Sequence, residues 1–123
     1  MAEGSTGQGA SLTAGLAALS AAVAVGAAAF GAHAASSAKA AGWLETGGHY
    51  QLVHAVAALV LLRWTGLVRP AQLLIAGSLI FAATLYAMAL GAPLWLGAVT
   101  PIGGALMIGG WLWAAWLLVR KPF

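Results

Sequence analysis

The run from Leu12 to Ala35 contains no Lys, Arg, Asp or Glu, and three further apolar runs follow it, over about 45–64, 70–91 and 95–119. Each has about the 20 residues that a helix needs to cross the hydrocarbon of a bilayer. A soluble domain of this size carries charge on roughly a quarter of its residues. Here only 6% are charged and 63% are hydrophobic, so the chain cannot cover a soluble surface. Its mean hydropathy of +0.97 says the same. The solvent of this protein is lipid. The expected fold is an all-α membrane protein, with four transmembrane helices in a compact up-down bundle. Residues 1–11 read as a flexible tail, 12–119 as the transmembrane domain and 120–123 as a short basic tail. No length remains for a separate soluble domain.

The first run is almost entirely small residues, including the pair Ala22 and Gly26. Small residues let backbones approach closely, so this span is expected inside the bundle. The A-H-A before Ala35 has the form of a signal-peptidase site. No basic residue precedes the run, however, and it is too long for a signal h-region, so a retained span is the better reading. The second run ends in Arg63 and Trp64, an interfacial anchor pair. Pro70 opens the third run, and Gly91-Ala92-Pro93 closes it. The fourth follows Trp95, with Pro101 early in it, a cap expected at Thr100 and Pro101, and Trp111, Trp113 and Trp116 facing lipid or the interface. Gly26, Gly31, Gly77, Gly103, Gly104, Gly109 and Gly110 are the expected helix-packing positions.

Lys and Arg set the orientation. Four spans put the N-terminal tail, the second loop and the C-terminal tail on one side, and that side holds Arg63, Arg69, Arg120 and Lys121. The other side holds Lys39. The positive-inside rule places both termini in the cytoplasm. Most chemically capable side chains then fall toward the non-cytoplasmic leaflet: His33, Glu45, His49, Tyr50, Gln51, His54, Tyr86 and Thr100. The densest part is W-L-E-T-G-G-H-Y-Q-L-V-H at 43–54. Gly47, Gln51 and His54 share a helical face with Tyr50 beside it, and Glu45 and His49 are spaced to pair at the helix start. His54 is about seven residues, or roughly 10 Å, in from Gly47, a depth that obliges it to face protein or a wet cavity.

Several pieces together resemble the domain of unknown function 423 family, small inner-membrane proteins of the YgdD type. They are F-G-A-H at 30–33, W-L-E-T-G at 43–47, Y-Q-L-V-H at 50–54, G-S-L-I-F-A-A-T-L-Y at 77–86 and T-P-I-G-G-A-L-M-I-G-G-W at 100–111. They occur in the family's order across residues 26–111. The resemblance implies a four-helix protein of the bacterial inner membrane and supplies no catalytic residue. Two departures are a shorter loop between His33 and Trp43 and a longer N-terminal tail.

Chemistry is limited by what is missing. There is no cysteine and no aspartate, and the acidic residues are Glu3 and Glu45. Paired-carboxylate and Ser/His/Asp catalysis are excluded within one subunit. His49 and His54 have a spacing that turns them apart on a helix, which disfavours a metal site with His33 and Glu45. Closely packed Ala and Gly helices leave little room for haem. The expected protein is therefore non-enzymatic and without a cofactor: an accessory or assembly subunit, or a lipid-binding protein. It would work with membrane lipid, as a homo-oligomer or in a larger membrane-protein complex, and not with nucleic acid. The alternatives are an oligomeric small-solute transporter or channel, and a haem-, metal- or quinone-binding redox protein. The polar residues serve all three readings, and they equally serve a network that only fixes helix packing.

Overall fold

The computed structural model describes residues 2–120, and the side chains of residues 7–120. It contains four α-helices, α1 Ala2–His33, α2 Ala38–Leu61, α3 Val68–Ala89 and α4 Thr100–Arg120, with a 3₁₀ turn at Leu94–Ala98 before α4. No strand occurs among the described residues. Glycines mark the turns after α2 and α3. Gly66 and Gly91 take φ of 92° and 102°, the left-handed region that a side chain resists. At the end of α3, Ala92 N donates to Ala87 O and Gly91 N to Met88 O, which is the Schellman arrangement.

Three of the helical segments, Gly7–His33, Val68–Ala89 and Leu94–Arg120, are long and apolar enough to cross a membrane. The protein is thus an integral membrane protein by the length and composition of its helices. The expectation of four such runs is corrected at α2. Its 24 residues are long enough, but Lys39, Glu45, His49, Tyr50, Gln51 and His54 lower its hydropathy.

The helix boundaries also move. α1 begins at Ala2, not near Leu12, so residues 2–11, expected as a tail, are helical here. No proline interrupts that stretch, and a helix once begun extends cheaply. Residues 121–123, including Lys121, lie outside the described residues. α2 begins at Ala38, several residues before the expected start. Ser37 is extended and its Oγ accepts from Ala40 N at 3.0 Å, an ordinary N-cap. The fourth run is broken between Ala98 and Thr100, because the ring of Pro101 cannot follow a continuous helix.

Consecutive helices are antiparallel neighbours. α2 and α3 form the central pair, α1 lies against α2 and less extensively against α3, and α4 lies against α3. The bundle is therefore open on the α1–α4 side rather than closed. α1 is at the edge, contrary to the expectation that it lies inside. Its buried residues are Thr13, Ala17, Ser20 and Ala24, a narrow stripe against α2 and α3. Ala22 and Gly26 face outward, and a Cβ at Gly26 would meet nothing within 4 Å. An Ala- and Gly-rich helix can approach a neighbour on any face, so its composition could not say which one.

The tightest contact is between α3 and α4. A Cβ on Gly103 would lie 2.5 Å from Gly77 O and from Phe81 N, and one on Gly77 would lie 2.8 Å from Gly103 O. Gly110 packs on Leu74, and Gly31 on Leu44. Gly104 has nothing within 4 Å and Gly109 only an ordinary contact with Leu73, so neither is a close-packing position. Two such positions were not among the expected packing glycines: Gly47, against the Tyr86 ring, and Gly48, where a Cβ would lie 3.1 Å from Ala24 O.

Gly103→Val should destabilise the protein by about 1–3 kcal/mol or more, since backbone lies on both sides of the added atoms. Gly26→Ala should be neutral or stabilise by up to about 1 kcal/mol, since it meets no neighbour and removes a helix-interior glycine. Thermal unfolding in detergent compares the two directly.

Candidate functional site

The polar side chains of the bundle fall into separate groups. The first joins three helices. Gln51 is 2% exposed. Its Nε2 donates to Ser20 Oγ of α1 at 3.0 Å, and its Oε1 accepts from the Tyr86 hydroxyl of α3 at 2.6 Å. Gly47 lies one turn before Gln51, and its missing side chain leaves the space that the Tyr86 ring fills. Lipid offers no hydrogen bonds, so an amide at this depth needs protein partners on both ends.

The second group surrounds His54, which is 6% exposed. Trp111 Nε1 of α4 lies 3.1 Å from His54 Nε2, and His54 Nδ1 lies 2.7 Å from Tyr50 O. An indole N–H only donates and a carbonyl only accepts. His54 Nε2 is therefore the acceptor, and Nδ1 carries the proton. Both ring nitrogens are occupied, which leaves no lone pair for a metal or for proton transfer while Trp111 stays in place. The Tyr50 ring stacks on His54 with 6.1 Å between centroids, and Phe81 tilts against Tyr50 at 4.8 Å. These residues, with Gly104, Met107 and Ile108, line a cleft of about 430 Å³ between α2 and α4 over α3.

The third group is a hydroxyl pair, Thr84 Oγ1 and Thr100 Oγ1, 2.6 Å apart between α3 and α4. Thr100 also donates to Leu96 O at 3.3 Å. Its hydroxyl is thus used across helices and within the preceding turn, and the expected capping role at the start of α4 is replaced. A further pair, Gln72 Nε2 to Thr13 Oγ1 at 3.1 Å, ties α3 to α1 at the opposite end.

The other sequence candidates stand apart. His33 is exposed at the end of α1, without a hydrogen bond to a described residue. Glu45 and His49 are exposed on α2 and do not pair with each other. The earlier start of α2 places both well past its first turn. It also changes the depth of His54, now about 24 Å along the axis from Ala38 and only about 10 Å from Leu61. The candidates do not form one constellation: Gln51 with Tyr86 and Ser20, His54 with Trp111, and Thr100 with Thr84 are separate groups, and Glu45 and His49 face outward.

Two partners were not singled out in the sequence. Ser20 was hidden among the alanines of α1, although a hydroxyl on the face that meets Gln51 was a usable signal. By sequence Trp111 resembles Trp113 and Trp116, expected to face lipid or the interface. All three are exposed, but the indole N–H of Trp111 is committed to His54.

Residues 27–104 match the family described as "Protein of unknown function (DUF423)", and the chain belongs to that family. The matched region holds all eight candidate polar residues, from His33 to Thr100, and stops short of Trp111. No curated protein and no solved structure gives a match.

Gln51→Leu should cost about 0.6–1.7 kcal/mol, the range of interhelical hydrogen bonds in membranes. The loss should be largely shared with Tyr86→Phe in a double-mutant cycle in detergent, because the two variants remove the same bond. For His54, the ¹⁵N shifts should report an Nδ1-protonated ring in the wild type, with the Nε2 signal moving in Trp111→Phe.

Proposed function

We propose that this protein is a non-enzymatic membrane subunit, an accessory or assembly component whose polar residues join helices to one another. The observation that carries the reading is the commitment of the polar core. Gln51 spends its amide on Ser20 and Tyr86, and His54 spends its ring nitrogens on Trp111 and the Tyr50 carbonyl. Such a network fixes packing and leaves no free acid–base pair at its centre. The outside of the bundle offers broad apolar surface, with Leu19, Val25, Val56, Ile108 and Trp116 among the exposed side chains.

In this reading α2 is the fourth span. About 36 Å long, it exceeds the roughly 30 Å of hydrocarbon, and it lies between two helices that are apolar enough to cross. Its polar side chains Gln51 and His54 are turned inward, while Leu52, Val53, Val56 and Val60 are exposed. Both termini then share a side, and the balance of Arg63, Arg69 and Arg120 against Lys39 favours the cytoplasm for it. The bacterial inner membrane is the proposed location, from the family resemblance.

Lipid binding is a second element of the reading, favoured by one observation. The Tyr50 hydroxyl, at the cleft with Met107 and Ile108, has no hydrogen-bond partner among the described residues. A lipid with an acceptor group at that depth would satisfy it.

The chain has no cysteine, so single introduced cysteines report topology. Ser36→Cys should be labelled by an impermeant maleimide in intact cells, and Thr65→Cys only after permeabilisation. Labelling of both from outside would remove α2 as a span. Purification in a mild detergent should retain a protein partner or bound lipid with the chain. A bare monomer under those conditions would count against the subunit reading.

A further inference from the structure

We infer that the outer face of α2 is the contact surface for a second copy of this chain, held by reciprocal pairing of Glu45 with His49. The inference rests on the reading of α2 as a membrane span.

Gly42, Glu45, His49, Val53, Val56 and Val60 are all exposed. Their steps of three and four residues place them on one face, away from α1 and α3, with the repeat of a helix–helix seam. The upper part of that face carries ionisable groups. His49 lies about 9 Å along the axis from the interfacial Trp43 and Glu45 about 3 Å. Neither is hydrogen-bonded or ion-paired to a described residue. The His49 ring only meets the edge of Tyr50, at 5.8 Å between centroids. Ionisable side chains at such depth in spanning helices face protein or water. Here they face out of the bundle, so any protein they face lies outside this copy.

The charges on the face point to the partner. Glu45 and His49 are an acid and a base one turn apart. Around a two-fold axis along the membrane normal, α2 of each copy runs parallel to α2 of the other. Glu45 of each copy then meets His49 of the other, and the face is complementary to itself. Acyl chains carry nothing to pair with either group, and an unrelated helix would need its own base and acid in this register. Below the pair, Val53, Val56 and Val60 supply β-branched residues suited to a two-stranded parallel seam, and Gly42 lets the upper ends approach. The residues that keep α2 below the hydropathy of the other helices thus have a common explanation. Those turned inward bind this bundle together, and those turned outward bind a second one.

The test is oxidative cross-linking in membranes, using single cysteines in this cysteine-free chain. Val53→Cys and Val56→Cys should give disulfide-linked dimers with copper phenanthroline. Leu19→Cys on α1 and Leu112→Cys on α4 should not. In the Val53→Cys background, Glu45→His should lower the dimer yield about fivefold or more. Adding His49→Glu in the same chain should restore it, because the swap regenerates both pairs. The proposal is overturned by equal cross-linking on all faces, by a yield indifferent to Glu45→His, or by cross-links from position 53 to a different protein only. That last result would leave the subunit reading in place. Labelling of both ends of α2 from one side would instead remove the span itself.

Discussion

The Gln51 amide is the junction on which the bundle depends. It is the point where α1, α2 and α3 are held at one depth, by one donor and one acceptor bond to different helices. In water the burial of apolar surface would drive these helices together. In lipid that force is absent, and close packing and interhelical hydrogen bonds must serve instead. The arrangement around Gln51 combines both. Gly47 admits the Tyr86 ring, and Gly48 brings α2 near the backbone of α1. The amide then closes the gap, and an unmade bond there would leave a polar group stranded without water. Apolar clusters extend the contact on both sides, with Leu61, Leu67, Leu74 and Ala17 toward one end and Ala40, Leu44 and Ala89 toward the other.

Much of this was legible in the sequence. The number of helices followed from the apolar runs, and the end of α3 from Gly91-Ala92-Pro93. The shared face of Gly47, Gln51 and His54 followed from helical spacing, and all three are buried. What failed has a common cause. Composition tells how close a helix can come to a neighbour, but not which of its faces does so. The small residues of α1 are distributed around the helix, so its place at the edge could not be read. Trp111 looked like its neighbours Trp113 and Trp116 because one tryptophan reads like another until a partner atom is known. The start of α2 was misplaced for a different reason. The aromatic Trp43 is a louder signal than the small N-cap at Ser37, and the earlier start puts His54 in the second half of α2.

The contrast between α2 and its neighbours shows what a hydropathy average leaves out. A span is defined by what faces lipid, but the average counts every side chain. α2 turns Gln51 and His54 into the bundle and Glu45 and His49 out of it. Gln51 and His54 are satisfied within the bundle. α3, the most buried of the spans, uses Ser78 and Thr84 differently, returning their hydroxyls to the backbone of its own helix. Polar side chains therefore have two outlets here, and only one of them couples helices.

The open side of the bundle bears on how the protein is made. Synthesis proceeds from the N-terminus, so α1, α2 and α3 exist before α4 emerges. Ser20, Gln51 and Tyr86 all belong to that first triad, which can complete its central bonds without the last helix. His54 Nδ1 is also satisfied within α2, by Tyr50 O. His54 Nε2 alone of this group waits for α4, whose Trp111 supplies the donor. The arrangement suits biogenesis in two stages, a self-sufficient triad followed by late docking of a fourth helix on the Gly77 face of α3. The histidine–indole bond marks the arrival of that helix at its proper depth.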